Sequence, residues 1–405
     1  MRIEKTIFYT TMLLCSLLSS CGLIAFMNIQ DAFEAETIST QLFREELDFE
    51  EINGFIIIQV EFRGQLKNFI FDTGATTSLD QNLAAQLNIK TLGKVKTFDS
   101  NNTKQYIPYV TIEEFNIGNI SFYNTVASIS DMEKINTAAC IEVSGIIGSN
   151  AMKKCIWQID YRRKKMVVTN DQDRLGLSGQ ESKIHFSATS RGTPTIALYS
   201  NERYWGEVIF DTGSNGGIAL DEKYLLSSSF IVGQSYNLGV HGEKIRMFKI
   251  SNVSHLDLDH SLTLENQLIT FGNEIRFGII GNKFLKDYKV TIDWTHLQIL
   301  LEKYDTEMSI HDRSFDFYPR FIKDRVIVGS ILLSSPAYEK GLRLNDQIIA
   351  INDLSFKEDV YNKYCQYLQS RSQWEEIKLT IQKGDEKLEF ISNKRELMEL
   401  LEENN

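Results

Sequence analysis

The sequence is poor in cysteine and histidine and has no cluster of basic residues. Five cysteines and six histidines are spread over 405 residues, and none of their spacings is typical of a metal site. Acidic residues outnumber basic ones by 54 to 43, which gives a net charge of −11. No run of lysine or arginine interrupts that balance. These absences argue against a bound metal, against nucleic acid as a partner, and against attraction to an anionic membrane surface.

The rest of the composition is that of an ordinary globular protein. Hydrophobic residues account for 42% of the chain and charged residues for 24%, which are the usual proportions for a folded protein. A chain of this length is expected to form two or three domains.

The N-terminus has the pattern of an export signal. Residues 1–5 carry charges and precede an apolar run to Ser20, and Leu18–Cys21 reads Leu-Ser-Ser-Cys. This tetrapeptide resembles a bacterial lipobox, in which cleavage occurs before the cysteine and lipid is attached to its sulfur. We therefore expect a signal peptide over 1–20, lipidation at Cys21, and a polar membrane tether over 21–50.

A second interpretation of the same segment is an uncleaved membrane anchor. From Thr6 to Gln30 the sequence carries no charge, and such a stretch is long enough to span a bilayer. Both interpretations place the remaining chain outside the cytoplasm. The lipobox favours an exported lipoprotein of the bacterial cell envelope, held at the outer membrane and facing the periplasm.

Three cysteines lie beyond this leader, namely Cys140, Cys155 and Cys365. A disulfide between Cys140 and Cys155 would be compatible with an oxidising compartment. Isolated buried thiols are the alternative, and the sequence leaves both open.

A five-residue motif occurs twice in the chain. Phe71–Ala75 reads Phe-Asp-Thr-Gly-Ala and Phe210–Ser214 reads Phe-Asp-Thr-Gly-Ser, each directly after a strand-like apolar run. A single Asp-Thr-Gly at the end of a strand is most often an ordinary turn. Two copies in the same context favour two halves of one site.

A second motif repeats at a fixed distance. Gly145–Gly148 and Gly278–Gly281 both read Gly-Ile-Ile-Gly. Twelve residues after the last glycine of each copy stands an aspartate, Asp160 or Asp293, in an Ile-Asp-aromatic sequence. We interpret these two aspartates as structural turn residues. Because both the motif and its spacing recur, the sequence indicates an internal duplication of one structural unit.

The paired motifs resemble those of aspartic peptidases of the retropepsin and pepsin kind, with both half-sites on one chain. The resemblance spans roughly Gly54 to Leu301. It implies a mainly β, two-lobed acid-protease β-barrel fold, with tandem retropepsin-like lobes over 51–170 and 183–304. It also implies an active site between the lobes that can form within one chain and needs no metal or organic cofactor.

In such a site Asp72 and Asp211 would be the catalytic pair. Two adjacent carboxylates share one proton, because both cannot ionise readily. One then activates a water as general base, and the other acts as general acid towards the scissile carbonyl. Glycine lets the two loops approach closely, and threonine hydroxyls would brace them. The supporting residues of the two loops are Thr73, Gly74, Ala75, Thr212, Gly213 and Ser214.

The two loops differ in their last residue. In the resembled fold the side chain of Ala75 or Ser214 lies beside the carboxylate of its own loop. A hydroxyl there could donate a hydrogen bond that favours the ionised form, whereas a methyl group cannot. We therefore expect the shared proton to reside more on Asp72 than on Asp211.

Two loops stand where the resembled family has a β-hairpin flap that closes over the substrate. The first surrounds Asn101 and Asn102, in a run of turn-forming residues. The second surrounds His241 and Gly242. Ordinary surface hairpins are the alternative for both, with His241 as a solvated turn residue.

The pattern changes again over 315–393, which we assign to a further domain. Ser335–Ala337 and Asp346–Ile348 follow the Ser-Pro-Ala and Asp-x-Ile signatures of bacterial PDZ domains. The resemblance implies a PDZ-like α+β domain with a groove helix over Tyr361–Ser370. Tyr318–Phe321 lacks the glycines of the usual carboxylate-binding loop. The resemblance therefore extends to the fold rather than to capture of a peptide C-terminus.

Together these patterns predict a membrane-tethered aspartic endopeptidase that acts on protein or peptide substrates. The alternative is a non-catalytic envelope lipoprotein that binds peptides through the lobe cleft and the PDZ domain. Its basis is the Gly-rich stretch Ser214–Gly217, which could hold Asp211 poorly. Against it, neither aspartate is replaced. A purely structural lipoprotein would explain the tether but not the paired motifs.

Overall fold

The computed structural model describes residues 27–39, 41–98, 104–239, 242–273, 275, 277–305 and 313–403. Strands account for 53% of the protein and helices for 17%, which confirms the prediction of a mainly β protein. Within these ranges no helix is long and apolar enough to cross a membrane. The helices that connect the strands are α1 (27–34), α2 (Gln81–Gln86), α3 (Glu133–Ala139), α4 (Ser149–Met152), α5 (Asn282–Leu285), α6 (Pro336–Glu339), α7 (Val360–Ser370) and α8 (Leu397–Glu403).

The first half of the chain is built on a nine-stranded sheet. The strands of the first half are β1 (Thr37–Ile38), β2 (Arg44–Asp48), β3 (Glu50–Ile52), β4 (Phe55–Phe62), β5 (Gln65–Asp72), β6 (Ser78–Asp80), β7 (Thr91–Phe98), β8 (Lys104–Ile117), β9 (Ile120–Ser130), β10 (Gly145–Gly148), β11 (Ile156–Asp160) and β12 (Lys165–Thr169). The sheet has the order β1-β9-β6-β10-β5-β4-β8-β7, with β3 paired to β4. Arg63 and Gly64 both have positive φ, as expected of the two-residue turn that joins β4 to β5.

The second half forms a similar sheet. Its strands are β13 (Ser182–His185), β14 (Ser187–Ala188), β15 (Pro194–Ser200), β16 (Arg203–Phe210), β17 (Ile218–Asp221), β18 (Ile231–Gly239), β19 (Gly242–Leu258), β20 (Leu262–Gly272), β21 (Gly278–Ile280), β22 (Tyr288–Asp293) and β23 (Gln298–Lys303). The order is β14-β15-β16-β21-β17-β20-β19-β18. Side chains alternate between buried and half-buried along β15, the period expected of a strand with one face on the core.

The strand pairing around the two Asp-Thr-Gly motifs is repeated. β5 runs parallel to β10, so that Asp72 lies beside Gly148. In the same way β16 runs parallel to β21, with Phe210 beside Ile280. β6 is antiparallel to β10 and parallel to β9, as β17 is to β21 and β20. Each Gly-Ile-Ile-Gly motif therefore supplies the strand that flanks one Asp-Thr-Gly loop.

A six-stranded sheet joins the two halves. Its order is β13-β23-β22-β11-β12-β2, and β11 and β22 pair antiparallel, with Trp157 opposite Ile292. Both halves contribute to one hydrophobic core, which includes Phe71, Trp157, Phe210 and Ile292. Burial of this continuous core holds the two Asp-Thr-Gly loops in one rigid setting.

The residues expected to form a free tether are packed into the fold, which corrects that prediction for 27–39 and 41–50. Ile29 and Phe33 of α1 are buried against the first half. β1, β2 and β3 pair with β9, β12 and β4. β2 alternates exposed and half-buried side chains. The polar composition therefore reflects the exposed face of an edge strand rather than an unpacked extension.

The C-terminal region extends the second sheet. It contains β24 (Arg313–Ser314), β25 (Phe317–Ile322), β26 (Arg325–Leu332), β27 (Gln347–Ile351), β28 (Leu354–Ser355), β29 (Glu376–Lys383), β30 (Glu386–Asn393) and β31 (Arg395–Glu396). It has a hydrophobic core of its own. It is also joined to the second half, because β26 pairs with β18 and α8 packs its leucines beside Ile231.

The disulfide weighed from the sequence, Cys140 to Cys155, is wrong. Cys140 is bonded to Cys365 of α7, and Cys155 is a free, buried thiol. Burial raises the pKa of Cys155, so this thiol is inert. The bond spans 225 residues of sequence, a separation that no local spacing rule addresses. It ties the C-terminal region covalently to the first half.

Candidate active site

The two Asp-Thr-Gly loops meet face to face. Asp72 ends β5 and Asp211 directly follows β16. A Cβ atom placed on Gly213 would lie 2.1 Å from Cγ of Asp72, and one on Gly74 would lie 2.6 Å from Cγ of Asp211. Only glycine fits at either position, because any side chain would collide with the carboxyl group of the opposite loop. Both carboxyl groups are half-buried, and they are within hydrogen-bonding reach of each other.

The two threonines hold the loops together by reciprocal hydrogen bonds. The backbone N–H of Thr73 donates to Oγ1 of Thr212 at 3.1 Å, and the N–H of Thr212 donates to Oγ1 of Thr73 at 3.0 Å. Each hydroxyl in turn donates to a carbonyl across the junction, at Phe210 for Thr73 and at Phe71 for Thr212. Both threonines are completely buried. All four bonds are thus shielded from water, and they fix one loop against the other.

Each carboxyl group is also held by its own loop. The N–H of Gly74 donates to Oδ1 of Asp72 at 2.8 Å, and the N–H of Gly213 donates to Oδ1 of Asp211 at 2.9 Å. These two bonds are equivalent in the two loops and orient each carboxyl group against its own backbone. The arrangement is an almost symmetric carboxyl pair.

The helices after the Gly-Ile-Ile-Gly strands brace the loops from behind. Ser149 at the start of α4 donates its hydroxyl proton to the carbonyl of Thr73. Asn282, at the same place in the second half, donates from Nδ2 to the carbonyl of Thr212 at 2.6 Å. Neither residue is among those predicted from the sequence. Their position in the sequence could have identified them, since each directly follows the last glycine of a Gly-Ile-Ile-Gly motif.

The environment of the pair raises the pKa of both carboxyl groups. Burial raises the pKa of Asp72 well above its ordinary value, and the neighbouring charge of Asp211 raises it further. Burial also raises the pKa of Asp211, but hydrogen bonds from Asp72 and from the N–H groups of Gly213, Ser214 and Gly74 lower it. The pKa of both carboxyl groups is thus raised, and the proton belongs to the pair.

The Ser214 hydroxyl does not have the role expected from the sequence. Its Oγ lies towards Gly281, where a Cβ atom would be 2.8 Å away. Among the hydrogen bonds of the described residues, none runs from this hydroxyl to Asp211, and the contribution of Ser214 is its backbone N–H. The hydrogen bond on which the prediction of proton position rests is therefore absent among the described residues, and the preference for Asp72 stays a prediction. Ala75 and Ser214 instead both accept through their carbonyls, from Ser149 and Asn282.

A buried network that the sequence did not reveal reaches the first loop from the N-terminal segment. Oε1 of Glu36 accepts from Nδ2 of Asn150 at 2.6 Å and from the N–H of Val126 at 3.0 Å. Asn150 accepts from the N–H of Thr77, whose hydroxyl accepts from Gly148. Glu36 is 3% exposed, and its Oε2 has no partner. Burial raises its pKa, which favours the neutral acid.

The residues predicted to form flaps lie, in the sequence, between the paired strands of two hairpins. β7 pairs with β8, and β18 pairs with β19 up to Gly239 opposite Gly242. Asn101, Asn102 and His241 lie outside the described residues, so only Gly242 is placed, at the start of β19. Cys21 also lies outside the described residues. Within the part of the chain that is described, no group of three His, Cys, Asp or Glu side chains could hold a metal.

Comparisons with known proteins bear mainly on the first half. A family model described as aspartyl protease matches residues 58–151, which include the first Asp-Thr-Gly loop and the first Gly-Ile-Ile-Gly strand. No curated protein matches the chain. Among solved structures, basic 7S globulin from soybean is similar at a TM-score of 0.40 and 8% identity, over 65% of this chain and 95% of that one. The family match supports a protease-like function in general.

Proposed function

We propose that this protein is an aspartic endopeptidase in which Asp72 and Asp211 activate a water for hydrolysis of a peptide bond. The observation that carries the proposal is the junction of the two loops. Reciprocal bonds between Thr73 and Thr212 place two carboxyl groups against each other, and the glycines leave no room for any other residue there. Two ordinary turns at strand ends would not be expected to combine these features.

The electrostatics of the pair fit a division of labour. In this proposal Asp72, whose pKa is raised by burial and by the neighbouring Asp211, holds the proton and acts as general acid towards the scissile carbonyl. Asp211 receives more hydrogen bonds to its ionised form and acts as general base on the attacking water. The proton then belongs to the pair, and either carboxyl group can carry it as the reaction proceeds.

The architecture that accompanies this proposal is two-lobed, with tandem retropepsin-like lobes over 51–170 and 183–304 and a PDZ-like domain over 315–393. Its support is the repeated strand pairing of the two halves and the separate core of the C-terminal region. No metal or organic cofactor takes part, and the active site forms within one chain.

The proposed location is the bacterial cell envelope, with a lipid on Cys21 and the protein facing the periplasm from the outer membrane. The lipobox-like sequence supports export. The Cys140–Cys365 disulfide adds support, because such bonds persist in oxidising compartments.

The alternative, a peptide-binding lipoprotein without catalysis, has less support. It required Ser214–Gly217 to hold Asp211 loosely. The carbonyls of Ser214, Gly216 and Gly217 accept backbone hydrogen bonds from Asn282, Lys283 and Gly281 at 2.8–3.0 Å. The loop is thus held along its length despite its glycine content.

A peptide library decides between these functions. We expect the wild-type protein to cleave a subset of peptides at acidic to neutral pH, and Asp72→Asn and Asp211→Asn to cleave none. Asp160→Asn is the matched control, because Asp160 bonds to Arg163 and Tyr304 away from the pair. Binding of peptides without cleavage by the wild type would favour the alternative.

A further inference from the structure

In the C-terminal region the edge strand β25 lies beside the helix α7, and we call the space between them the groove. One edge of β25 pairs with β26. Phe321 of β25 packs against α7, with its ring centroid 5.4 Å from that of Tyr361 and 5.9 Å from that of Tyr364. In PDZ domains a peptide adds to such an edge strand beside the helix.

The groove is already occupied by a segment of the first half. α3 packs against β25. The hydroxyl of Tyr361 donates to the carbonyl of Asn136 at 3.5 Å, and that of Tyr364 donates to Ala138 at 3.4 Å. Cys140, which ends α3, is bonded to Cys365 of α7. Both distances are longer than those of an ordinary O–H···O hydrogen bond, so the disulfide is the strongest link between α3 and α7.

The same segment touches the machinery of the proposed site. The carbonyl of Ala139 accepts from Nδ2 of Asn53 at 2.6 Å. Asn53 and Gly54 form the turn between β3 and β4, and the carbonyl of Gly54 accepts from Nδ2 of Asn282 at 3.0 Å. Asn282 is the residue that braces Thr212. A chain of direct contacts therefore runs from α7 through α3 and this turn to the second Asp-Thr-Gly loop.

Residues beyond Cys140 reach the first loop as well. Ile141 and Val143 are buried in a small cluster with Ile70, which lies two residues before Asp72 on β5. The segment in the groove and the residues that directly follow it therefore contact the supports of both catalytic loops.

We propose that the ligand of this groove is the chain's own segment Glu133–Cys140, fastened by the Cys140–Cys365 disulfide, and that its docking positions the two catalytic loops. The C-terminal region is then a built-in clamp for the active site, closed to peptides from outside while the disulfide is intact. Only the expected effect on catalysis rests on the proposed endopeptidase activity. The docking itself is a property of the fold.

A dithiol reductant would open the clamp. Both cysteines are half-buried, so a small thiolate can reach them. It attacks one sulfur, the S–S bond breaks, and a second thiolate of the same reagent completes the exchange. Two electrons and two protons pass to Cys140 and Cys365, which become thiols, and the dithiol becomes a cyclic disulfide.

The test measures cleavage by the full chain before and after treatment with dithiothreitol, with thiol counting to show complete reduction. We expect kcat/KM to fall by roughly 2- to 30-fold, the range of couplings carried by contact networks, and to recover on reoxidation. The double variant Cys140→Ser with Cys365→Ser should have the kcat/KM of the dithiothreitol-treated wild type without treatment, and dithiothreitol should not change it. Cys155→Ser, which changes the buried thiol outside the clamp, should respond as the wild type does.

Hydrogen exchange gives a readout that does not depend on cleavage. In the oxidised protein the N–H groups of Cys140 and Ile141 bond to the carbonyl of Asn136. On reduction, exchange should accelerate over 133–141 and over 211–217, and remain unchanged in β22 and β23. Unchanged activity and exchange after full reduction would overturn the inference. Absence of cleavage in every state would instead overturn the proposed function, and exchange over 133–141 would then decide the docking alone.

Discussion

Thr73 and Thr212 each accept a backbone hydrogen bond from the other and donate one across the same junction, and both are fully buried. This exchange makes the relative position of Asp72 and Asp211 a consequence of four bonds rather than of loop packing alone. It also gives the threonine hydroxyl a role that valine, of nearly the same shape, cannot fill.

Replacing Thr73 by valine should therefore damage stability and activity together. The change leaves the N–H of Thr212 and the carbonyl of Phe210 unpaired in a dry site, at a cost of about 1–3 kcal/mol for each group. Thermal unfolding and peptide cleavage measure the two effects. Thr73→Ser keeps the hydroxyl and is the control. Equal stability of the valine and serine variants would show that the exchange of bonds is not what holds the loops.

The raised pKa of Asp72 predicts the direction in which the stability of the folded protein changes with pH. Between the pKa of this carboxyl in the unfolded chain and its higher pKa in the folded protein, the folded state binds more protons. Its stability therefore falls as pH rises through that window. Asp72→Asn removes the effect, so this variant should be more stable than the wild type at neutral pH and equally stable below about pH 3, where the unfolded carboxyl is protonated. Thermal unfolding at both pH values is the measurement, with Asp160→Asn as reference. A neutral-pH difference of the opposite sign would contradict the assignment.

Glu36 should act as a positioning residue through Asn150. Glu36→Gln keeps the oxygen that accepts from Asn150 and Val126 and mimics the neutral acid that burial favours. Glu36→Ala leaves the N–H of Val126 and one N–H of the Asn150 amide without this acceptor, at about 1–3 kcal/mol for each. The Asn150 amide, which accepts from Thr77, then donates only to the carbonyl of Val126. We expect the glutamine variant to retain kcat and stability and the alanine variant to lose both. Equal loss in both variants would mean that the charge, rather than the acceptor, is required.

Much of the site could be predicted because its information is local. The duplicated motifs identify Asp72, Asp211 and the glycines between the loops, since the chemistry of a carboxyl pair allows few residues there. The long-range contacts could not be predicted. The pairing of Cys140 with Cys365, the pairing of β18 with β26, and the packing of Ile29 and Phe33 join segments with no shared sequence pattern.

The side-chain direction of Ser214 is a third kind of case. The sequence correctly marks the position as different from Ala75, but the rotamer depends on Gly281 beside it. Since Oγ lies against Gly281, Ser214→Ala should leave the acid limb of the pH–rate profile in place. A profile measured on the variant and the wild type with one peptide tests this. An upward shift of the acid limb would restore the hydroxyl as a donor to Asp211.

The central claim is that Asp72 and Asp211 work as one catalytic unit. The most direct test compares kcat/KM for Asp72→Asn, Asp211→Asn and the double variant on a single peptide that the wild type cleaves. Because each carboxyl group is useless without the other, we expect each single change to cost at least about 10³-fold and the double change to cost no more than either. Substantial activity in either single variant, or costs that multiply in the double variant, would contradict the shared pair.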